Sequence, residues 1–207
     1  MSSRRPKKPV PPPRRRLSRE DRLRQLLEVS WQLISDEGTD ALTLGRLAEL
    51  AGVTKPVVYD HFGTRDGLLV ALYRDFDTRQ TDALDAALAA TPETLTARAT
   101  VIASAYVDCV LLQGREIPGV LSALAGTPAL DQTKRDYQLA FLDKCRDLLT
   151  PFVKRGRITQ ASLWAMLGAA DAVSEAAALA DITPAEAKAE LRHTIITLVD
   201  RASSRKG

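Results

Sequence analysis

This sequence is poor in the residues on which most enzyme and metal chemistry is built. Its 207 residues include two cysteines and two histidines, and aromatics make up 5%. Cys109 and Cys145 lie far apart in the chain, so no disulfide framework is expected. His61 and His193 have no partners at metal-ligand spacing. No glycine-rich phosphate loop occurs, and no nucleophile can be matched with a base and an orienting group. An enzyme, a cofactor and a metal are therefore not expected. No apolar stretch of roughly 18 residues is read, so neither is a membrane span. Nothing alternates long enough to make a strand, which leaves an all-α protein.

What the chain does have is charge, unevenly placed. The net charge is +3. Residues 1–17 carry Arg4, Arg5, Lys7, Lys8, Arg14, Arg15 and Arg16, with no acid and five of the eleven prolines. The remaining chain is net acidic. A proline-rich basic run cannot pack a core, so a disordered basic arm is expected, suited to nucleic-acid phosphates. No apolar segment follows the charges, which argues against a signal peptide and for a cytoplasmic protein.

The stretch around which the rest is organised is TLGRLAELAGVTKPVVYDHF, Thr43 to Phe62. Thr43 can cap a first helix, Thr43–Ala51, whose Leu44, Leu47, Ala48 and Ala51 share one face. Gly52 sits where a tight turn needs a positive φ. Thr54 can cap a second helix with Pro56 in its first turn, where the missing N–H costs little. Val58 and Phe62, four apart, face inward. Lys55, Val57, Tyr59, Asp60 and His61 are left on the outside. This is the pattern of a helix-turn-helix that presents its second helix to a DNA major groove. A first helix, Ser18–Glu37, with Leu23, Leu26, Leu27, Ser30, Trp31 and Ile34 inward and Gly38 as C-cap, completes a small three-helix core. Trp31 reads as a larger core residue, with a brace to the next helix as the alternative.

The run GVTKPVVYDHFGTRDGLLVAL, Gly52 to Leu72, resembles the DNA-binding signature of the TetR (tetracycline-repressor-like) family, and the resemblance reaches back to Arg19. It implies a homodimeric, ligand-released repressor on a palindromic double-stranded DNA operator. By position it implies a helix N-terminus at Thr43 meeting phosphate, and Tyr59 meeting the backbone. Lys55 and His61 would face the groove, Pro56 and Val57 would stand near a thymine methyl, and Arg65 would pair with phosphate. Arg46 and Thr54 join this DNA-binding set. Three positions depart from the family pattern. Gly45 replaces a polar side chain able to reach a base. Asp60 repels phosphate unless an arginine or a cytosine amine answers it, and Thr39 replaces an aromatic.

Residues 18–64 are thus expected to form the DNA-binding domain and 65–207 a helical regulatory and dimerisation domain. Its helices read as Thr64–Ala90, Thr91 to Gln113 with Gly114 as cap, Pro118–Leu124, Pro128 to Val153, Thr159 or Gln160 to Leu179, and Pro184 to Ala202, nine helices in all. The penultimate helix is dense in small residues (Ala165, Gly168, Ala169, Ala172, Ala176, Ala177), and the last carries Leu191, Ile195, Leu198 and Ala202 on one seam. The resemblance implies that these two helices pair with their symmetry mates in a dimer. Ile102, Tyr106, Cys109 and Gln113 share a face that suits a small-molecule cavity, with Tyr137, Phe141 and Trp164 opposite. Asp171, in the alanine-rich helix, reads as a buried interface group. A ligand-independent DNA-binding or architectural protein that works through its basic arm is the alternative function.

Overall fold

A computed structural model describes residues 17–204, and only the backbone of residues 114–116. The arm expected at 1–17 thus lies outside the described residues except for Leu17. The described chain is all-α: α1 Arg19–Glu37, α2 Leu44–Leu50, α3 Lys55–Phe62, α4 Arg65–Ala89, α5 Leu95–Glu116, α6 Pro118–Leu124, α7 Pro128–Leu149, α8 Gln160–Ala178 and α9 Pro184–Ser204. Two 3₁₀ turns, Thr39–Ala41 and Thr150–Phe152, join them and were not anticipated.

Helix boundaries follow local chemistry. The Ser18 hydroxyl accepts from the Asp21 N–H and donates to its carboxylate. At α9, Thr183 and Glu186 satisfy each other's backbone N–H groups, a complete capping box. Thr43, Thr64, Thr94, Thr127 and Thr159 cap their helices with the hydroxyl alone, each accepting from an N–H three residues on. Two expected boundaries are corrected. Helix α5 starts at Leu95 because Thr94, not Thr91, provides the capping hydroxyl, and it continues through Gly114 to Glu116. A single glycine costs a helix about 1 kcal/mol, too little to end one that is packed along its length. Helix α7 stops at Leu149, and Pro151 falls in the 3₁₀ turn beyond it.

Two apolar cores form. One joins α1, α2 and α3 to the first half of α4 (Leu68, Leu69, Leu72, Tyr73, Phe76) and to Ile117, Val120, Leu124 and Leu130. The other packs α5, α7, α8 and α9, with Ile102, Leu142, Leu163, Leu191 and Ile195 among its buried members. Helix α4 leaves the first core and forms a wall of the second half of the molecule. Helix α5 corrects one expectation. Its Leu95–Gln113 segment, with a mean hydropathy of 1.5, is long and apolar enough to cross a membrane by length and composition. Here it is the central helix of the body. Ala99, Ile102, Ala103 and Val107 are buried, Arg98 meets Glu93, and Asp108 meets Lys188.

Candidate DNA-binding face and ligand cavity

The helix-turn-helix is built as its residues dictate. Leu44, Leu47, Ala48 and Ala51 are buried, as are Val58 and Phe62. Gly52 turns the chain at φ +64°, and the Val53 N–H donates to the Ala48 carbonyl across the bend. Gly63, at φ +67°, ends α3. A second glycine shapes this corner and escaped sequence reasoning. A Cβ on Gly67 would lie 2.1 Å from the Phe62 carbonyl oxygen, so the α3–α4 junction closes only around a residue without one.

On the outer side of α3, Lys55, Pro56, Tyr59 and Asp60 are exposed, Tyr59 by 52%. Val57 is half-buried. So is His61, whose ring lies against Phe62 with centroids 6.0 Å apart. Burial, then the nearby Arg19 charge, holds the His61 imidazole below its ordinary pKa, so it is neutral at pH 7. The Thr43 hydroxyl accepts from the Arg46 N–H at 3.1 Å. Thr54 holds the cap position of α3, but its hydroxyl makes no capping hydrogen bond. The Lys55 stem lies over Gly45, its Cε 3.6 Å from where a Cβ would stand, an ordinary contact distance.

Both arginines of the expected DNA-binding set have partners within the protein. Arg65 donates to the carbonyls of Leu42 and Thr39, both at 2.9 Å. These carbonyls flank the 3₁₀ turn, Thr39 at its start and Leu42 just past its end, and the guanidinium bridges them as a fork. Arg46 meets Glu37 at 2.7 Å and Glu49 at 3.7 Å, and its hydrogen bond to Glu37 raises its pKa further. Asp60 has the arginine answer its position calls for: Arg19 approaches its carboxylate to 3.6 Å.

The head is clamped to α4. The Trp31 indole N–H donates to Asp75 at 2.7 Å, Arg79 meets the same carboxylate at 3.3 Å, and the Arg79 guanidinium lies 5.2 Å above the Trp31 ring. Trp31 is therefore a brace, not only a larger core residue. A second contact joins head and body: a Cβ on Gly119 of α6 would lie 2.1 Å from the Thr39 hydroxyl oxygen.

Between α4, α5, α7 and α8 lies a cavity of about 340 Å³. Of the residues expected there, Tyr106, Cys109, Gln113, Tyr137 and Phe141 line it. Ile102 and Trp164 do not. Ile102 is turned into the core, and the Trp164 ring lies under the Arg135 guanidinium at 5.2 Å. The α4 wall, with Tyr73, Asp77, Gln80 and Thr81, was missed. Asp171 also lines the cavity, accepting from the Tyr106 hydroxyl, and is exposed in the single chain. Burial pushes Asp77 up to about 6 and Cys109 up to about 12, so the thiol stays protonated and unreactive. Among the described residues no group of three or more His, Cys, Asp or Glu gathers to hold a metal.

This fold and site define a class, the all-helical proteins with an N-terminal helix-turn-helix head on a helical body. The sequence profile of bacterial regulatory proteins of the tetR family matches residues 26–79. Over 73 residues the chain is 34% identical to the HTH-type transcriptional regulator BetI of Rhizobium meliloti, covering 34% of this chain and 36% of that one. Over 57 residues it is 39% identical to the HTH-type transcriptional activator FasR of Mycolicibacterium smegmatis, covering 28% and 26%. The matches thus span about a third or less of those relatives' length. A TetR-family transcriptional regulator of solved structure from Rhodococcus sp. superposes with a TM-score of 0.64 at 20% identity, over 87% of this chain and 99% of that one. Residues 26–79 thus match the DNA-binding head of the TetR family, and the described chain shares the fold of the solved regulator.

Proposed function

We propose that the chain is a cytoplasmic, homodimeric, DNA-binding transcriptional regulator, a repressor released by a small molecule. The observation that carries the reading is the exposed row Lys55, Pro56 and Tyr59 on a helix pinned by buried Val58 and Phe62. A rigid helix with one free polar face is what a major groove admits. In this reading Lys55 and the start of α2 at Thr43 share a phosphate, Tyr59 meets the backbone, and Pro56 and Val57 stand toward a base edge. His61 plays a lesser part, being half-buried. Arg46 and Arg65 position the head more than they meet DNA, since both already have protein partners. The seven basic side chains before residue 17 would add sequence-independent phosphate contacts.

A dimer through α8 is supported by Ala161, Ala165, Gly168, Ala172 and Leu179, which lie exposed on that helix. The α9 seam expected to join it is spent inside the chain: Leu191, Ile195, Leu198 and Ala202 are all buried. Helix α9 would therefore bring its polar side, with Glu190, His193 and Thr197, to the interface. The cavity supports a ligand, and FasR's being an activator makes the sign of regulation a matter for a reporter assay.

The test is a duplex selected from random DNA by the full chain. The Lys55→Ala, Tyr59→Phe double variant should bind it at least about tenfold more weakly with its fold intact, since each lost phosphate or base contact is worth on the order of 1 kcal/mol. Unchanged affinity would remove α3 as the reading element.

A further inference from the structure

We propose that the cavity takes an organic cation with a compact apolar body, its positive centre answered by the carboxylates of Asp77 and Asp171. This rests on the ligand-controlled reading above and names the ligand's class.

Asp77 is half-buried in the α4 wall, and among the described residues its carboxylate has no hydrogen bond or ion pair. A carboxylate taken from water without a partner is costly, so the site rewards whatever supplies one. Among the described residues, no lysine or arginine pairs with it. Lys144 is committed to Asp85 at 2.5 Å, and Lys134 is exposed. Asp171 accepts one hydrogen bond, from Tyr106, and retains acceptor capacity. The raised pKa of Asp77, about 6, has burial as its sole cause and reports the same missing partner.

The walls agree with the charge. Tyr106 and Phe141 pack with centroids 5.2 Å apart, and Tyr73 and Tyr137 with centroids 6.1 Å apart. Four aromatic rings around a void with two carboxylates suit a cation, because ring faces carry negative charge density; of the two lysines that also line it, Lys144 is paired with Asp85 and Lys134 is exposed. An anionic ligand would meet both carboxylates, and a purely apolar one would leave Asp77 desolvated without compensation. The volume, about 340 Å³, fits a small drug-like molecule.

The test compares three probes of nearly equal size on the full chain by calorimetry: benzyltrimethylammonium, phenylbutanol and phenylbutanoate. The ammonium should bind about tenfold or more tightly than the alcohol, and the carboxylate more weakly still. Asp77→Asn should erase the preference for the ammonium while keeping the affinity for the alcohol, and Asp171→Asn should reduce it. The quaternary probe cannot titrate, so its affinity should fall as pH is lowered from about 8 to about 5 and Asp77 takes up a proton. The other groups facing Asp77 are Tyr73 on its own helix, Cys109 and Tyr106 on α5, and Tyr137, Lys134 and Lys144 on α7, with Asp171 on α8. The pH profile should therefore flatten in Asp77→Asn and persist in Asp171→Asn. If Asp77→Asn does not fold, the wild-type probe order and its pH profile decide.

Equal or tighter binding of the alcohol or the carboxylate, no binding of the ammonium, or an ammonium preference that survives Asp77→Asn would overturn the inference. Such a result with DNA binding intact leaves the regulator standing. A chain that prefers the ammonium but selects no DNA refutes the regulator alone.

Discussion

Gly67 shows how much of the head depends on what a residue lacks. It packs against the Phe62 carbonyl where α3 turns into α4, and a methyl there would overlap that oxygen. Neither backbone can retreat without disturbing Phe62, which is buried in the head core. Gly67→Ala should therefore destabilise the protein by about 2–3 kcal/mol, against a gain in helix propensity of under about 1 kcal/mol. Chemical denaturation checks this, and a neutral result would mean that the corner is looser than drawn. The same residue marks a limit of sequence reading. Gly52 is legible because a glycine between two capped helices signals a turn, whereas Gly67 sits inside a helix and its need comes from a carbonyl five residues back. Arg65 and Arg46 are similar cases. The sequence offers them as DNA contacts, but their protein partners, the carbonyls of Thr39 and Leu42 for Arg65 and the carboxylates of Glu37 and Glu49 for Arg46, come from how α1, the 3₁₀ turn and α2 fold together.

Among the elements, periodicity and threonine caps placed seven of the nine described helices within a residue or two, and missed at the ends of α5 and α7. What the pattern could not give is which helix faces which. Asp77, Gln80 and Thr81 carry no signal of their own in the sequence and line a cavity, because α5, α7 and α8 stand off from that side of α4. The α1–α4 brace is a related case, since Trp31 and Asp75 are 44 residues apart. Trp31→Phe keeps most of the packing and removes one charge-assisted hydrogen bond and part of a cation–π contact. The expected loss is about 1–2 kcal/mol of stability. It should be accompanied by a weaker effect of any cavity ligand on DNA affinity, because α4 carries both the brace and Asp77. Melting curves and ligand-titrated gel shifts measure the two effects, and full retention of ligand response would show that the brace only holds the head.

For the molecule as a whole, the open side of α8 is where assembly is argued. Around Gly168 a Cβ would meet nothing within 4 Å, so the described chain tolerates any side chain there. A long charged side chain should leave each protomer folded and keep two protomers apart. Gly168→Arg should thus give monomers by analytical ultracentrifugation where the unmodified chain gives dimers, with an unchanged helical signature. Dimers in both would place the interface elsewhere. Affinity for DNA should fall with dimerisation, since one head supplies only half of the phosphate contacts.

The central claim is that two copies of α3, held by one dimer, read one duplex together. The most direct measurement is selection of a bound site from random duplex DNA, followed by titration to find how many protomers occupy it. The expected result is an inverted repeat whose half-sites lie about 10 base pairs apart, or a multiple of that, filled by protomers in even number. Contradiction would be a site without two-fold symmetry bound by a single protomer, or no enrichment of any sequence.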